Sequence, residues 1–252
     1  MSAPVHYTCA ARTDAGLLRP GNEDRFAMHS ERGIFIVADG MGGHAAGEVA
    51  SEMAVRITSR AIGSLRGMSD EEAGDRMRRA IRAANEAIFA RTISEWDKRG
   101  MGTTATVLVL LEGRYLIGQV GDSRAYLLRD GRLLQLTKDH SYVQELVDAG
   151  LLTPAEARRH RYRGVITRCV GARREVVPDI YVGSLEQGDI LLLASDGLTD
   201  MLEDEQLIRI LSSDGEPGHW VDRMIAEANG RGGRDNITAI VVSAQASCIP
   251  VR

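Results

Sequence analysis

Four aspartates carry the first chemical signal in this chain. Asp39 in "IFIVADG", Asp122 in "LIGQVGDS", Asp196 in "ILLLASDG" and Asp235 in "GGRDNITAIVV" each abut an apolar run. A carboxylate at the end of a buried strand is costly unless something pairs with it. Asp39, Asp122 and Asp196 follow their runs, whereas Asp235 precedes its own. In an antiparallel sheet one strand's end lies beside its neighbour's beginning, so all four can gather on one edge. Any single Asp-Gly is also an ordinary turn signal. Four together, each against an apolar strand, favour a cluster, and clustered carboxylates stay ionised together only around cations. Carboxylate ligands without a usable Cys or His set favour the hard cations Mg2+, Mn2+ or Ca2+. The D-x-[DN]-x-[DN]-G spacing of an EF-hand calcium loop is absent.

The elements that must position these residues follow from periodicity. Residues 33–38 read as a buried strand. Ala46, Val49, Ala50, Met53, Ile57, Ala61 and Leu65 fall at helical spacing, which predicts a long amphipathic helix. A second stripe, Ala73, Met77, Ile81, Ala84 and Ile88, predicts another, with Ser69 as its N-cap and acidic residues in the first turn. The arginines between 76 and 82 are read as its solvated face. From Thr104 the pattern changes to strands separated by "EGR" and "RDGR", both hairpin signals, which predicts an antiparallel meander. Residues 140–163 read as helical and charged, and 178–194 as two strands around the turn "LEQGD". Short helices are expected near 203–212 and 219–229, and a last strand over Ile237 to Val242. Meandering strands with long helices between them predict an α+β sandwich of antiparallel sheets covered by helices. No repeat or long linker divides the chain, so one domain over 1–252 is expected.

Composition narrows the functional classes. The chain has 252 residues, 44% apolar and 26% charged, which suits a globular domain with a sizeable core. A formal net charge of -4 argues against a nucleic-acid-binding role. Cys9, Cys169 and Cys248 are odd in number and far apart, which gives neither a disulfide framework nor metal-ligand spacing, and points to a reducing cytoplasm. No secretory h-region and no apolar run of 18 residues is present, so no membrane span is expected.

The motifs "RPGNEDR", "VADGMGGHAAGE", "MGTTATVLVL", "VGDSRAYLLRDG", "ITRCVGA", "LLLASDGLTD" and "GGRDNITAIVV" occur in an order that resembles the bacterial metal-dependent Ser/Thr protein phosphatases of the type 2C family. They are spread over nearly the whole chain. The resemblance implies a four-layer αββα sandwich, with two antiparallel β-sheets flanked by helices. It implies that Asp39 bridges two metals and that the Gly40 carbonyl ligates the second. Asp196 and Asp235 would hold the first metal, while Glu23 and Asp24 would support the second, directly or through water. Asp122, with Asp196, would hold a third. Arg19 falls where the family places its phosphate-clamping arginine, with Arg12 nearby as a rival. Residues 140–165 resemble a mobile flap, in which His160 is the candidate substrate contact; an exposed helix end is the plainer reading of its basic run. Thr103 and Thr104 read as strand residues that support the core.

The implied chemistry is hydrolysis of phosphoserine and phosphothreonine by a water that bridges two Mn2+ or Mg2+ ions, with no covalent intermediate. Arg19 would neutralise phosphoryl oxygens alongside the metals. A serine leaving group needs a proton. Met41 follows the Asp-Gly pair and cannot donate one, which leaves His44 as the nearest histidine candidate. A helix N-terminus disfavours imidazolium, so a metal-held water is the favoured donor and a loop-fixing role the plainer reading of His44. The implied partners are phosphorylated proteins, a Ser/Thr kinase and its substrates among them, with the chain itself a monomer. A phosphatase of small metabolites and a non-catalytic phosphoprotein-binding domain stand as alternatives.

Overall fold

The computed structural model describes residues 6–42, 46–65 and 67–245. β1 (His6–Asp14), β2 (Arg25–His29) and β3 (Ile34–Ala38) open the chain. A short β4 (Gly40–Met41) leads to α1 (Ala46–Ile62) and α2 (Asp70–Ser94), and β5 (Gly102–Thr103) pairs with β4. β6 (Ala105–Leu111), β7 (Arg114–Val120), β8 (Arg124–Arg129) and β9 (Arg132–Gln135) follow. A lobe holds α3 (Tyr142–Asp148) and α4 (Pro154–Arg159). β10 (Asp179–Ser184), β11 (Ile190–Ala194), α5 (Asp196–Thr199), α6 (Asp204–Leu211), α7 (Pro217–Gly230) and β12 (Ile237–Gln245) complete the described chain.

Two five-stranded antiparallel sheets result, in the orders β1-β12-β11-β8-β9 and β10-β7-β6-β3-β2. Strand alternation assigns each residue to a layer. Phe35 and Val37 join Leu108, Ile117, Leu191, Leu193, Ile240 and Val242 in the interior between the sheets. Ile34 and Ile36 turn the other way, onto α1 and α2. Leu192, Ala239 and Val241 turn onto α6 and α7. This is the α+β, four-layer αββα sandwich that the sequence leads one to expect.

The α2 stripe holds in detail, whereas the α1 stripe is shifted: α1 ends at Ile62, short of Leu65, and buries Ala46, Ala50, Ala54, Thr58 and Ile62, while Val49, Met53, Ile57 and Ala61 pack half-buried against the same core. Ala73, Met77, Ile81, Ala84 and Ile88 are all buried. Ser69 caps α2 reciprocally: Glu72 N–H donates to Ser69 Oγ at 3.3 Å, and Ser69 N–H donates to Glu72 Oε2 at 2.9 Å. The strand pattern misleads in two places. β6 and β7 form a hairpin in one sheet, but β8 and β9 form theirs in the other, so the meander splits at Gly121 and Asp122. Gly121 permits the crossing because its φ of 104° is open to glycine alone. Likewise "LEQGD" closes no hairpin, since β10 and β11 belong to different sheets. β1 and β2 escaped the pattern reading because each is an edge strand with little or no fully buried surface. Among the described residues no helix is long and apolar enough to cross a membrane.

Candidate metal centre

The registers bring the carboxylates together. The end of β11 lies beside the start of β8 and the first turn of β12, because Ala194 pairs with Arg124 and Ala239. The end of β7 lies beside the start of β6 through Val120 and Ala105, and the end of β3 beside the start of β2 through Ala38 and Arg25. Asp39 and Asp122 therefore leave one sheet, and Asp196 and Asp235 border strands of the other, on one edge of the sandwich.

Two glycines make room for this convergence. A Cβ on Gly40 would meet Gly47 O at 2.2 Å and Glu23 O at 2.6 Å, and one on Gly197 would meet Asn236 O at 2.0 Å. Only glycine lets these backbones approach so closely. Thr103 and Thr104 fix the Asp39 turn. Asp39 N–H donates to Thr104 Oγ1 at 2.8 Å, and Thr104 N–H and the Thr103 hydroxyl both donate to Asp39 O at 2.9 Å. Asn236 ties the "NEDR" loop to β12: Glu23 N–H donates to its Oδ1 at 2.8 Å, and its Nδ2 donates to Ala15 O and Gly21 O.

The electrostatics are those of crowded acids. Burial, then the charges of Asp24, Asp196 and Asp122, hold the Asp39 pKa well above the carboxylate range. Burial, then Asp200, Asp235 and Asp24, push Asp196 up to about 7. Asp24 rises to about 6 through burial, although Ser195 Oγ and Thr238 Oγ1 donate to its Oδ2 at 2.7 and 2.6 Å. Asp122 is raised well above its ordinary value by burial and by Asp196 and Asp139. Burial also raises Glu23. The Asp39 and Asp196 carboxyls are in hydrogen-bonding contact. Two carboxylates reach that contact by sharing a proton or by surrounding a cation.

The donor set suits cations. Asp24 Oδ1, Asp122 Oδ1 and Asp196 Oδ1 are buried with no hydrogen-bond partner, and such oxygens ordinarily find one. Among the described residues no three Asp, Glu, His or Cys side chains already close round one point. Small hard cations accept that arrangement, because they keep several waters and take only one or two carboxylates.

The remaining expected residues divide. Arg19 Nη2 lies 2.6 Å from Asp235 Oδ2, so it reaches the cluster. Arg12 does not: its Nε pairs with Asp222 on the surface at 2.9 Å. His44 lies outside the described residues. A cavity of about 440 Å3 opens beside Asp122 and Asp196, walled by α3 and α4 on one side and by Asp200, Glu203 and Asp204 on the other. His160 is not part of its lining; it packs at 5.6 Å from the Tyr162 ring and 6.4 Å from Tyr142. Sequence reading passed over Asp200, Ser195, Asn236 and Thr238. Asp200 carried a usable signal, since it sits four residues after Asp196 and so on the same side of one helical turn. The other three signalled themselves only as polar residues beside apolar strands.

Comparison with known proteins matches this geometry to a family. The profile of Protein phosphatase 2C matches residues 20–234. A serine/threonine phosphatase stp of Listeria monocytogenes is 41% identical over 92% of this chain and 93% of its own length. The serine/threonine protein phosphatase PstP of Mycobacterium tuberculosis is 42% identical over 92% of this chain, which spans 44% of PstP. A crystal structure of the PstP catalytic domain in complex with 2 manganese ions superposes with a TM-score of 0.87 at 38% identity, covering 97% of this chain and 100% of that one. The chain belongs to the protein phosphatase 2C family. Like the relatives so named, it is a serine/threonine protein phosphatase.

Proposed function

We propose that this chain hydrolyses phosphoserine and phosphothreonine in proteins, and that its carboxylate cluster holds two divalent cations, Mn2+ or Mg2+. The observation that carries the reading is the set of buried carboxylates from both sheets whose Oδ1 atoms have no partner. Asp39 serves both ions in this reading, because it is the neighbour common to Asp24, Asp122 and Asp196. The Gly40 carbonyl and the Glu23–Asp24 pair serve one ion, and Asp196 and Asp235 the other. Asp122, facing Asp196, adds a third corner. Cations bound there would supply an activated water and screen the phosphoryl charge.

The chain's own residues do the rest. Arg19 stands on Asp235 at the rim and presents a planar fork that matches two phosphoryl oxygens. Thr103 and Thr104 hold the Asp39 turn rigid, so the acids keep their spacing without rearranging. No covalent intermediate is required. Cys9 and Cys169 make poor nucleophiles, because burial pushes both thiols up, away from thiolate. The lobe over residues 140–165 walls the cleft as a flap, and His160 with Tyr142 and Tyr162 offers the polypeptide an aromatic contact outside the cavity. Phosphorylated proteins, a Ser/Thr kinase and its substrates among them, are the partners, and the chain acts as a monomer in the cytoplasm.

The test is phosphate release from a phosphothreonine peptide. The reading expects turnover with Mn2+ or Mg2+, loss in EDTA and recovery on adding metal back. Full turnover in EDTA would sink the metal assignment. Turnover of small aryl phosphates without any on phosphopeptides would sink the protein substrate.

A further inference from the structure

The lobe between β9 and β10 is tied down at two places, and each lies beside one of the carboxylates of the third corner. At its base His140 grips the turn that carries Asp122. His140 N–H donates to Gly121 O at 2.9 Å, and Gly121 N–H donates to His140 Nδ1 at 3.1 Å. Thr167 N–H closes the base by donating to His140 O at 2.8 Å. With Nδ1 accepting, the proton of the neutral ring sits on Nε2, which faces Asp179 Oδ2 at 3.1 Å.

At its far side Arg158, in the last turn of α4, grips the turn that carries Asp196. Its Nη2 donates to Thr199 O at 2.9 Å and to Leu202 O at 3.3 Å, and its Nε lies 3.0 Å from Glu203 Oε2. These carbonyls close α5 and the turn after it, where a helix leaves C=O groups without helical partners. Arg163 adds a contact to Asp200 at 3.1 Å. Two of the flap's basic residues are therefore engaged with the protein itself, and Arg158 does not serve the end of its own helix.

The flap thus spans the gap between two turns. One bears Asp122 and the other Asp196, and both acids line the same cavity with a buried, unpartnered Oδ1. We propose that Arg158 is a positioning residue: by holding the Thr199 and Leu202 carbonyls from the flap, it fixes the Asp196 turn relative to the Asp122 turn and so sets the cation affinity of the corner between them. This rests on the reading of Asp122 and Asp196 as cation ligands. Asp196 also serves one core ion, but Asp39 and Asp235 are not held by the latch and keep that ion in place, so the corner ion should feel the loss of the latch most. Lysine keeps the charge opposite Glu203 but lacks the fork that reaches two carbonyls and a carboxylate together.

The test compares the wild type with Arg158→Ala and Arg158→Lys by calorimetric titration with Mn2+ of metal-stripped protein. Arg158→Ala should weaken the weakest Mn2+ site roughly tenfold, the low end for an outer partner of a metal ligand, and weaken the tighter sites distinctly less. Arg158→Lys should fall between the two. Limited trypsin digestion should also cut the flap of Arg158→Ala faster than that of the wild type, at arginines both proteins share. Faster cutting with every Mn2+ affinity unchanged would overturn the positioning role, as would an equal loss at all sites. A wild type that takes up no Mn2+ would overturn the ligand reading and this inference with it. If Arg158→Ala fails to fold, Arg158→Lys alone decides, because an unaltered weak site in it would contradict the need for the fork.

Discussion

Asp196→Asn should stabilise the metal-free protein while removing its activity. Burial, reinforced by Asp200, Asp235 and Asp24, lifts Asp196 from 3.8 to about 7. A carboxyl raised in the folded state keeps its proton there while the unfolded chain has released it. Stability contributed by this group therefore falls as pH rises between those two values, and the penalty is complete above pH 7. At about 1.4 kcal/mol per pH unit, the penalty is on the order of 2 kcal/mol at pH 5 and 4 kcal/mol at pH 8. Asparagine has nearly the same shape and no charge, and its amide can donate to Asp39 in place of the shared proton. Urea unfolding in EDTA should show the variant ahead of the wild type, by a margin that grows from pH 5 to pH 8. Saturating Mn2+ should reverse the order, because a ligand stabilises the form that binds it more tightly. A variant less stable than wild type at pH 8 in EDTA would refute the picture of mutually repelling buried acids.

Other substitutions separate the roles. Asp39→Ala should lose both core cations in a calorimetric Mn2+ titration, whereas Asp235→Asn should weaken one; tight binding of two ions by Asp39→Ala would remove Asp39 as the shared ligand. Asp122→Ala should keep the fold and the core pair but turn over more slowly, and a crystal of it at high Mn2+ with three full sites would contradict this. His44→Ala should slow phosphopeptide and aryl phosphate hydrolysis by similar factors; a selective loss on the phosphopeptide of about 10²-fold or more would identify His44 as the proton donor.

What could be read from the chain follows from how far each signal reaches. The α2 stripe and the Ser69 cap are local periodicities, and they came out as expected; the α1 helix is present too, but its most buried line runs through Ala46, Ala50, Ala54, Thr58 and Ile62 rather than along the expected stripe. So did the gathering of Asp39, Asp122, Asp196 and Asp235, because antiparallel pairing itself brings strand ends to strand beginnings. Which sheet a strand joins is not local. The chain crosses between sheets at Gly121 and again at "LEQGD", and a turn residue looks the same whether it closes a hairpin or starts a crossing. The roles of Arg158 and Arg163 were hidden for a related reason. A basic run on a short helix reads as solvated charge until the fold sets the Thr199 and Leu202 carbonyls and the Asp200 and Glu203 carboxylates against it.

The most direct test of the central claim is an anomalous difference map at the manganese edge from crystals grown with Mn2+. The account predicts two strong peaks that share Asp39 as a ligand, one also contacted by the Gly40 carbonyl and the other by Asp196 and Asp235. A map with no peak in the carboxylate cluster, or with peaks that leave Asp39 unligated, would contradict it.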